Sequence, residues 1–201
     1  SFLSLSLSHT HTVNHTRAHT PPRKPMQTEE KDIRELKLES NKGRTAEVDV
    51  VLQQILKLER RIFPKHESLA STMQLDLKKK NLGVLFAVDH HPCNVDEQHT
   101  DTVCVAGYVI YSFTSSLAAS IVKLAVRECY RKQGYGQALL KAAIVKCQTR
   151  PICRVTLHVD PTREAAMGLY KKMGFRTDTI VLDYYAPRRD AHRMFIDFDK
   201  P

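Results

Sequence analysis

Residues 121–147 read IVKLAVRECYRKQGYGQALLKAAIVKC, and the rest of the chain can be placed around them. Ile121, Val122, Leu124, Ala125 and Val126 form a short apolar run with β-branched members, the pattern of a strand covered on both faces. Arg131, Lys132, Gly134 and Gly136 follow where a helix would begin. Leu140, Ala143, Ile144 and Cys147 then recur at helical spacing and give that helix one apolar face. A glycine turn opening a helix leaves backbone N–H groups pointing outward, and the helix dipole adds positive potential. Such a turn suits a phosphate or pyrophosphate, with Arg131 and Lys132 as countercharge. The alternative is an ordinary strand-to-helix turn with a solvated basic face. A dinucleotide fingerprint is excluded because its third small position is Leu139, and a triphosphate loop because Gly-Lys-Ser/Thr is absent.

The length of 201 residues suits one domain with a full-sized core, and 42% hydrophobic with 26% charged residues fits a soluble globular protein. A formal net charge of +9 favours polyanionic ligands or a nucleic-acid-rich setting such as the ribosome. No aromatic RNA-recognition motif is present, so no specific nucleic acid is expected. The five cysteines form no C-x-x-C pair, which argues against a disulfide framework or zinc cage and for a reducing, cytoplasmic or nuclear compartment. No apolar run reaches membrane-spanning length, so no membrane contact is expected. Residues 1–25 are rich in Ser, Thr and His, lack acidic residues and end in a proline cluster. They read as a disordered low-complexity tail ahead of one domain over 26–201. Their acid-free, Ser-rich composition with Arg17 and Arg23 also fits an organelle transit peptide, and Met26 fits a start behind an upstream extension.

The remaining elements follow from periodicity. A weak strand is expected over 32–38, then a helix over 46–61 whose one face carries Val48, Val51, Leu52, Ile55, Glu59 and Ile62. Phe63-Pro64 ends it. A second, weaker helix is expected over 66–80. Strands over 84–88 and 103–113 flank a loop with His90, His91, Cys93 and His99, whose donors suit zinc, although Pro92 and its acidic neighbours favour a hairpin loop. Strands over 118–126 and 152–159 come next. Asp160-Pro161 is expected to cap a helix with the stripe Ala166, Leu169, Tyr170 and Met173, stopped by Gly174. Strands over 175–184 and 192–198 close an α/β fold built on one mixed sheet.

Two ordered signatures carry a resemblance. Arg131-x-x-Gly134-x-Gly136 between strand and helix resembles the acetyl-coenzyme A loop of the GCN5-related N-acetyltransferase (GNAT) superfamily. Ala166, Tyr170, Gly174 and Phe175 match that superfamily's Ala-x-x-x-Tyr-x-x-x-Gly-Phe pattern. The resemblance covers roughly residues 31–198 and implies the GNAT fold, a mostly antiparallel sheet flanked by helices. It also implies acetyl-coenzyme A as cosubstrate, with no metal. Leu124, Ala125 and Val126 on the strand and Arg131-Lys132-Gln133-Gly134-Tyr135-Gly136-Gln137-Ala138 in the turn would then hold the coenzyme. Within the superfamily the chain resembles the NatE and NatF N-terminal acetyltransferases, which modify protein α-amines. Ile62-Phe63-Pro64, Leu157-His158-Val159 and Asp183-Tyr184-Tyr185 match their peptide pocket, histidine strand and paired-tyrosine hairpin.

The chemistry can be argued beside the name. Acetyl transfer from a thioester needs a neutral amine and a protonated leaving sulfur. A peptide α-amine, with a pKa of about 7.7–8.0, is already about a tenth neutral at pH 7, whereas lysine at about 10.4 is almost wholly charged. A histidine suffices to take the remaining proton, and His158 is the candidate base. The resemblance gives Tyr170 the role of acid to the sulfur, a backbone N–H near Val126 that of oxyanion donor, and Tyr184 and Tyr185 that of peptide clamp. The alternative for His158 is a histidine merely satisfied inside the sheet, Tyr170 can pack in the core and act as acid at once, and a plain surface hairpin is the alternative for the tyrosine pair. Three positions depart from the pattern: Ser120 replaces the second catalytic tyrosine of the NatE type, Lys65 follows Phe63-Pro64 where a small apolar residue is usual, and Arg163 replaces an Asn. A cation at Lys65 would turn acceptor preference toward acidic N-termini. The NatF anchor is not expected, since Pro201 lies just past the last strand. A lysine, polyamine or small-amine acetyltransferase is the rival activity, and a non-catalytic coenzyme-binding or ribosome-docking module the rival class.

Overall fold

The computed structural model describes residues 30–37, 45–90 and 103–198. The chain divides into two units, Ser1–Glu30 and Lys31–Pro201, and all elements below belong to the second. Residues 1–25, Leu38 and the loop residues His91, Cys93 and His99 lie outside the described residues.

Thr45 opens helix α1 (Ala46–Ile62): its Oγ1 accepts the Val48 N–H at 3.4 Å, and Glu47 and Asp49 occupy the first turn, where the dipole favours acids. Val51, Leu52, Ile55, Leu56 and Leu58 are buried along it, and so is Glu59. Phe63 is extended, as the residue before a proline should be, and the helix ends there. The helix expected over 66–80 shrinks to one turn, α2 (Met73–Asp76). The reason is local. Pro64 O accepts both the Glu67 and Ser68 N–H groups at 2.9 Å, and Glu59 Oε1 takes the Leu69 N–H at 2.7 Å, so the segment folds into turns instead.

Seven strands form one sheet in the order β1-β2-β3-β4-β5-β7-β6, with β1 (Asp32–Glu35), β2 (Leu82–Asp89), β3 (Cys104–Phe113), β4 (Ala118–Val126), β5 (Arg154–Val159), β6 (Arg176–Ala186) and β7 (Arg189–Asp197). Only β4 and β5 run parallel, joined by helix α3 (Tyr135–Gln148) as their crossover. The mixed sheet expected from the sequence is therefore present. Helix α3 and helix α4 (Glu164–Lys172) cover one face, around Leu139, Leu140, Leu157 and Tyr170. Helix α1 covers the other, around Leu52, Ile55, Tyr108 and Ile110.

Two features of β4 open the sheet. Its register against β3 shifts, so that Ile110 pairs with Lys123 but Tyr111 with Ile121, leaving Val122 as an extra residue. This bulge switches the alternation: Ile121 and Leu124 pack on the α3 side, whereas Lys123 and Ala125 turn toward α1. The pairing of β4 with β5 also stops at Ile121↔Leu157, and the two strands splay beyond it. Val122 is 40% exposed as a result, which corrects the expectation of a strand covered on both faces.

Helix α4 starts at Glu164 rather than at Pro161, because the Asp160 carboxylate is committed elsewhere. Its Oδ1 accepts the Thr162 N–H at 2.9 Å and the Thr162 hydroxyl at 2.7 Å, making a turn before the helix. Gly174, at φ 89°, stops α4 while the Phe175 N–H returns to Tyr170 O at 3.0 Å.

Candidate active site

A cleft of about 1110 Å³ runs through the splay between β4 and β5. One end is the turn into α3. A 3₁₀ turn at Glu128–Tyr130 leads to Lys132 at φ 60° and Gly134 at φ 88°, and the first α3 bond runs from the Ala138 N–H to Gly134 O at 3.0 Å. The N–H groups of Lys132, Gln133, Gly134, Gly136 and Gln137 find no acceptor among the described residues. Left-handed residues alternating with others turn successive amides toward one point, a concavity suited to an anion. A Cβ on Gly136 would lie 3.3 Å from Leu169 and 3.7 Å from Val126, so this residue keeps the turn against α4 and β4.

The central part is the splay itself. Because Arg127 N–H bonds Ala106 O at 2.8 Å, the antiparallel ladder directs the N–H groups of Leu124 and Val126 away from β3, toward the gap. His158 lies one residue past the last β4–β5 pair and lines the cleft. Burial, and secondarily the Arg193 charge, holds its imidazole pKa below the ordinary value. His158 is therefore neutral at pH 7 and able to accept a proton. Its ring stacks on Tyr184 at 4.5 Å with an interplanar angle of 9°. Tyr170 reaches the cleft from α4 with its ring against Phe175, and burial pushes its hydroxyl up to about 12, which keeps the proton in place. Ser120 also lines the cleft.

The far end is walled by Phe63, Glu67, Lys123, Arg163 and Tyr185. Glu67 is bonded to Arg163 at 2.8 Å and to Arg189 at 2.9 Å, and Arg189 also reaches Asp160 at 2.7 Å. Thr162 and Arg189 hold the Asp160 carboxyl down at about 2, against the desolvation that would raise it. Lys123 Nζ donates to Glu67 O at 2.7 Å and lies 3.9 Å from the centre of the Phe63 ring. Arg163 and Arg189 flank the Tyr185 ring.

The cleft thus brings together Leu124, Ala125, Val126, Arg131, Lys132, Gly134, Gly136, Gln137, His158, Tyr170, Tyr184, Tyr185 and Phe63. Five of the residues singled out in the sequence stand outside its lining. Tyr135 is in the core, its ring packed edge-on against Tyr130 at 5.4 Å. Ala138 spends its amide on the helix, and the Gln133 side chain turns back to Cys129 O at 2.7 Å, leaving only its main chain in the turn. Pro64 and Lys65 are exposed, because the turn after α1 points them outward, so the cations at this end are Lys123 and Arg163 instead. Cys129 is disulfide-bonded, a pairing that the spacing of the cysteines does not suggest. Cys104, Cys147 and Cys153 are free.

Glu67, Lys123 and Arg189 are not reached by the sequence reading, and Asp160 is reached only as a helix cap. Glu67 meets its two arginines across 96 and 122 positions, and no local pattern announces such a pairing. A signal existed only for Lys123, a charge inside an otherwise apolar strand. Among the described residues, no group of three His, Cys, Asp or Glu side chains is placed to hold a metal, and no helix is long and apolar enough to cross a membrane.

Comparison with known proteins fits this geometry. An N-alpha-acetyltransferase of Sulfurisphaera tokodaii is 37% identical over 75 residues, covering 37% of this chain and 45% of that protein. The ribosomal protein bS18-alanine N-acetyltransferase of Escherichia coli K12 is 36% identical over 67 residues, 33% of this chain and 45% of that protein. The chain spans about half the length of the curated relatives it matches. Arabidopsis thaliana NAA60, solved in complex with acetyl-CoA, has the same fold, with a TM-score of 0.66 at 19% identity over 84% of this chain and 98% of NAA60. The sequence pattern of the Acetyltransferase (GNAT) family matches residues 52–175, over half of the chain, and the chain belongs to that family.

Proposed function

We propose that the protein is an acetyl-CoA-dependent N-acetyltransferase acting on the α-amine of protein N-termini. The observation that carries this reading is the single cleft, with acceptor-free amides at one end, a neutral histidine and a protonated tyrosine at the splay, and an aromatic, charged wall beyond. The amides of Lys132, Gln133, Gly134, Gly136 and Gln137 fit a pyrophosphate, and Arg131 and Lys132 add charge. When bound, the coenzyme supplies an activated acetyl thioester. The N–H groups of Leu124 and Val126 face the gap as donors for its carbonyl oxygen. His158 takes a proton from the acceptor amine at its imidazole nitrogen, directly or through one water. Tyr170 gives its hydroxyl proton to the departing sulfur. Tyr184 and Tyr185 close over the peptide.

The relatives named for N-alpha and bS18-alanine acetylation support a protein α-amine as acceptor. The net charge of +9 supports work close to the ribosome. A peptide with a free N-terminus and its N-blocked, lysine-containing twin test the assignment. The free peptide is expected to be acetylated and the twin spared. Faster acetylation of the twin would assign the enzyme to lysine or small amines, and no turnover on either, despite tight coenzyme binding, would make it a binding module.

A further inference from the structure

Lys123 is the feature of the cleft that the proposed chemistry leaves unused. The bulge at Val122 turns it to the α1 face of the sheet, the face that His158 shares, since Val155, Leu157 and Val159 pack on the other side. Lys123 stands two residues past the last β4–β5 pair and His158 one, so both border the point where an acceptor amine meets the acetyl group.

The surroundings of Lys123 are those of a cation short of an anion. Its ammonium contacts a main-chain carbonyl and a phenyl ring, and no carboxylate lies within ion-pair distance of it among the described residues. The other cations of this wall are already matched, Arg163 by Glu67 and Arg189 by Glu67 and Asp160. Glu59 faces Lys123 from α1 and the two charges act on each other, but no ion pair joins them: Glu59 is fully buried with one oxygen on the Leu69 N–H, and its pKa is raised by burial against the opposing pull of that N–H and of Lys123. Of these three cations, Lys123 is the one without an ion pair among the described residues. A half-buried ammonium recovers part of its lost hydration when an anion arrives beside it.

We infer that Lys123 selects the acceptor, pairing with the side-chain carboxylate of a peptide that begins with Asp or Glu. This rests on the N-terminal reading above and deepens it by naming the substrate class. The Phe63 ring seats the ammonium, and the Arg163–Glu67–Arg189 bridge fixes the loop from which the Glu67 carbonyl aligns it.

The test uses the full chain, acetyl-CoA and pairs of free peptides identical except for Asp or Asn, and Glu or Gln, at the first position. A charge-assisted hydrogen bond predicts kcat/KM higher for the acidic member by roughly ten- to a hundredfold. In Lys123→Met that ratio collapses toward one, with retained stabilisation by acetyl-CoA showing that the variant is folded. A wild-type ratio near one overturns the inference whatever the variant does, while leaving N-terminal acetylation intact. A high ratio that Lys123→Met preserves overturns the assignment to Lys123. Turnover on lysine side chains with none on any free N-terminus overturns this inference together with the function it rests on.

Discussion

Gly134→Ala separates backbone conformation from every contact at the coenzyme turn. Gly134 sits at φ 88°, and a Cβ built there meets nothing within 4 Å, so the substitution brings neither a clash nor a lost side chain. Its whole cost is conformational: an L-residue in the left-handed region loses about 1–2 kcal/mol relative to glycine. For a folded unit of this size that lowers Tm by roughly 2–8 °C. The same energy favours turn conformers in which the amides of Lys132, Gln133, Gly134, Gly136 and Gln137 no longer converge. Since apparent affinity scales with the competent fraction, acetyl-CoA binding should weaken by roughly 5- to 30-fold. Differential scanning fluorimetry and isothermal titration calorimetry measure the two effects. Gly134→Asn supplies the control, because asparagine tolerates the left-handed region, and most of both losses should return. An unchanged Kd in Gly134→Ala, or an Asn variant as weak as the Ala one, would refute the idea that a left-handed Gly134 aims the amides.

Tyr170→Phe keeps the buried ring and removes only the hydroxyl, so kcat should fall by about 10²–10⁴-fold with Kd for acetyl-CoA nearly unchanged; near-normal kcat removes Tyr170 from the chemistry. In an NMR titration the His158 pKa should lie below the ordinary imidazole value, and Arg193→Met should raise it by removing the second of its two causes; a wild-type pKa above pH 7 would contradict a base that is neutral at that pH. Glu59 carries a carboxyl whose folded pKa is raised by burial, so its contribution is full below the unfolded pKa and is lost as pH rises through the folded one. Glu59→Gln keeps an acceptor for the Leu69 N–H and should therefore raise Tm more at pH 8 than at pH 4, and the opposite ordering would reject a desolvated carboxylate at this position.

The fold is legible where periodicity and chain-breaking residues act over short range. The glycine turn, the stripe of α3 and the Phe63-Pro64 stop are each dictated by neighbours within one or two helical turns, and the structure has them in place. Much of the candidate site follows, since Gly134 lies on that turn and His158 and Tyr170 lie on β5 and α4, whose local patterns are equally short-range. What escapes is set by long-range pairing. Nothing near Val122 in sequence announces a bulge, yet that extra residue exposes Val122 and turns Lys123 into the cleft. Leu69 and Met73 suit a helix, but Glu59, ten residues before Leu69, captures the amide that a helix would need. Asp160-Pro161 has the form of a cap, and Arg189 from the hairpin recruits the carboxylate instead. Lys65 follows the Phe63-Pro64 pair in sequence, but the turn after Pro64 sends it to solvent.

The central claim is that the amides of Gln133, Gly134, Gly136 and Gln137 grip the diphosphate of the coenzyme. Backbone amide NMR during titration with acetyl-CoA, compared with acetyl-pantetheine that lacks the diphosphate, tests it most directly. The account predicts that the Gln133, Gly134, Gly136 and Gln137 amide protons move downfield with acetyl-CoA and stay in place with acetyl-pantetheine. Saturable acetyl-CoA binding that leaves those four resonances unmoved would contradict it.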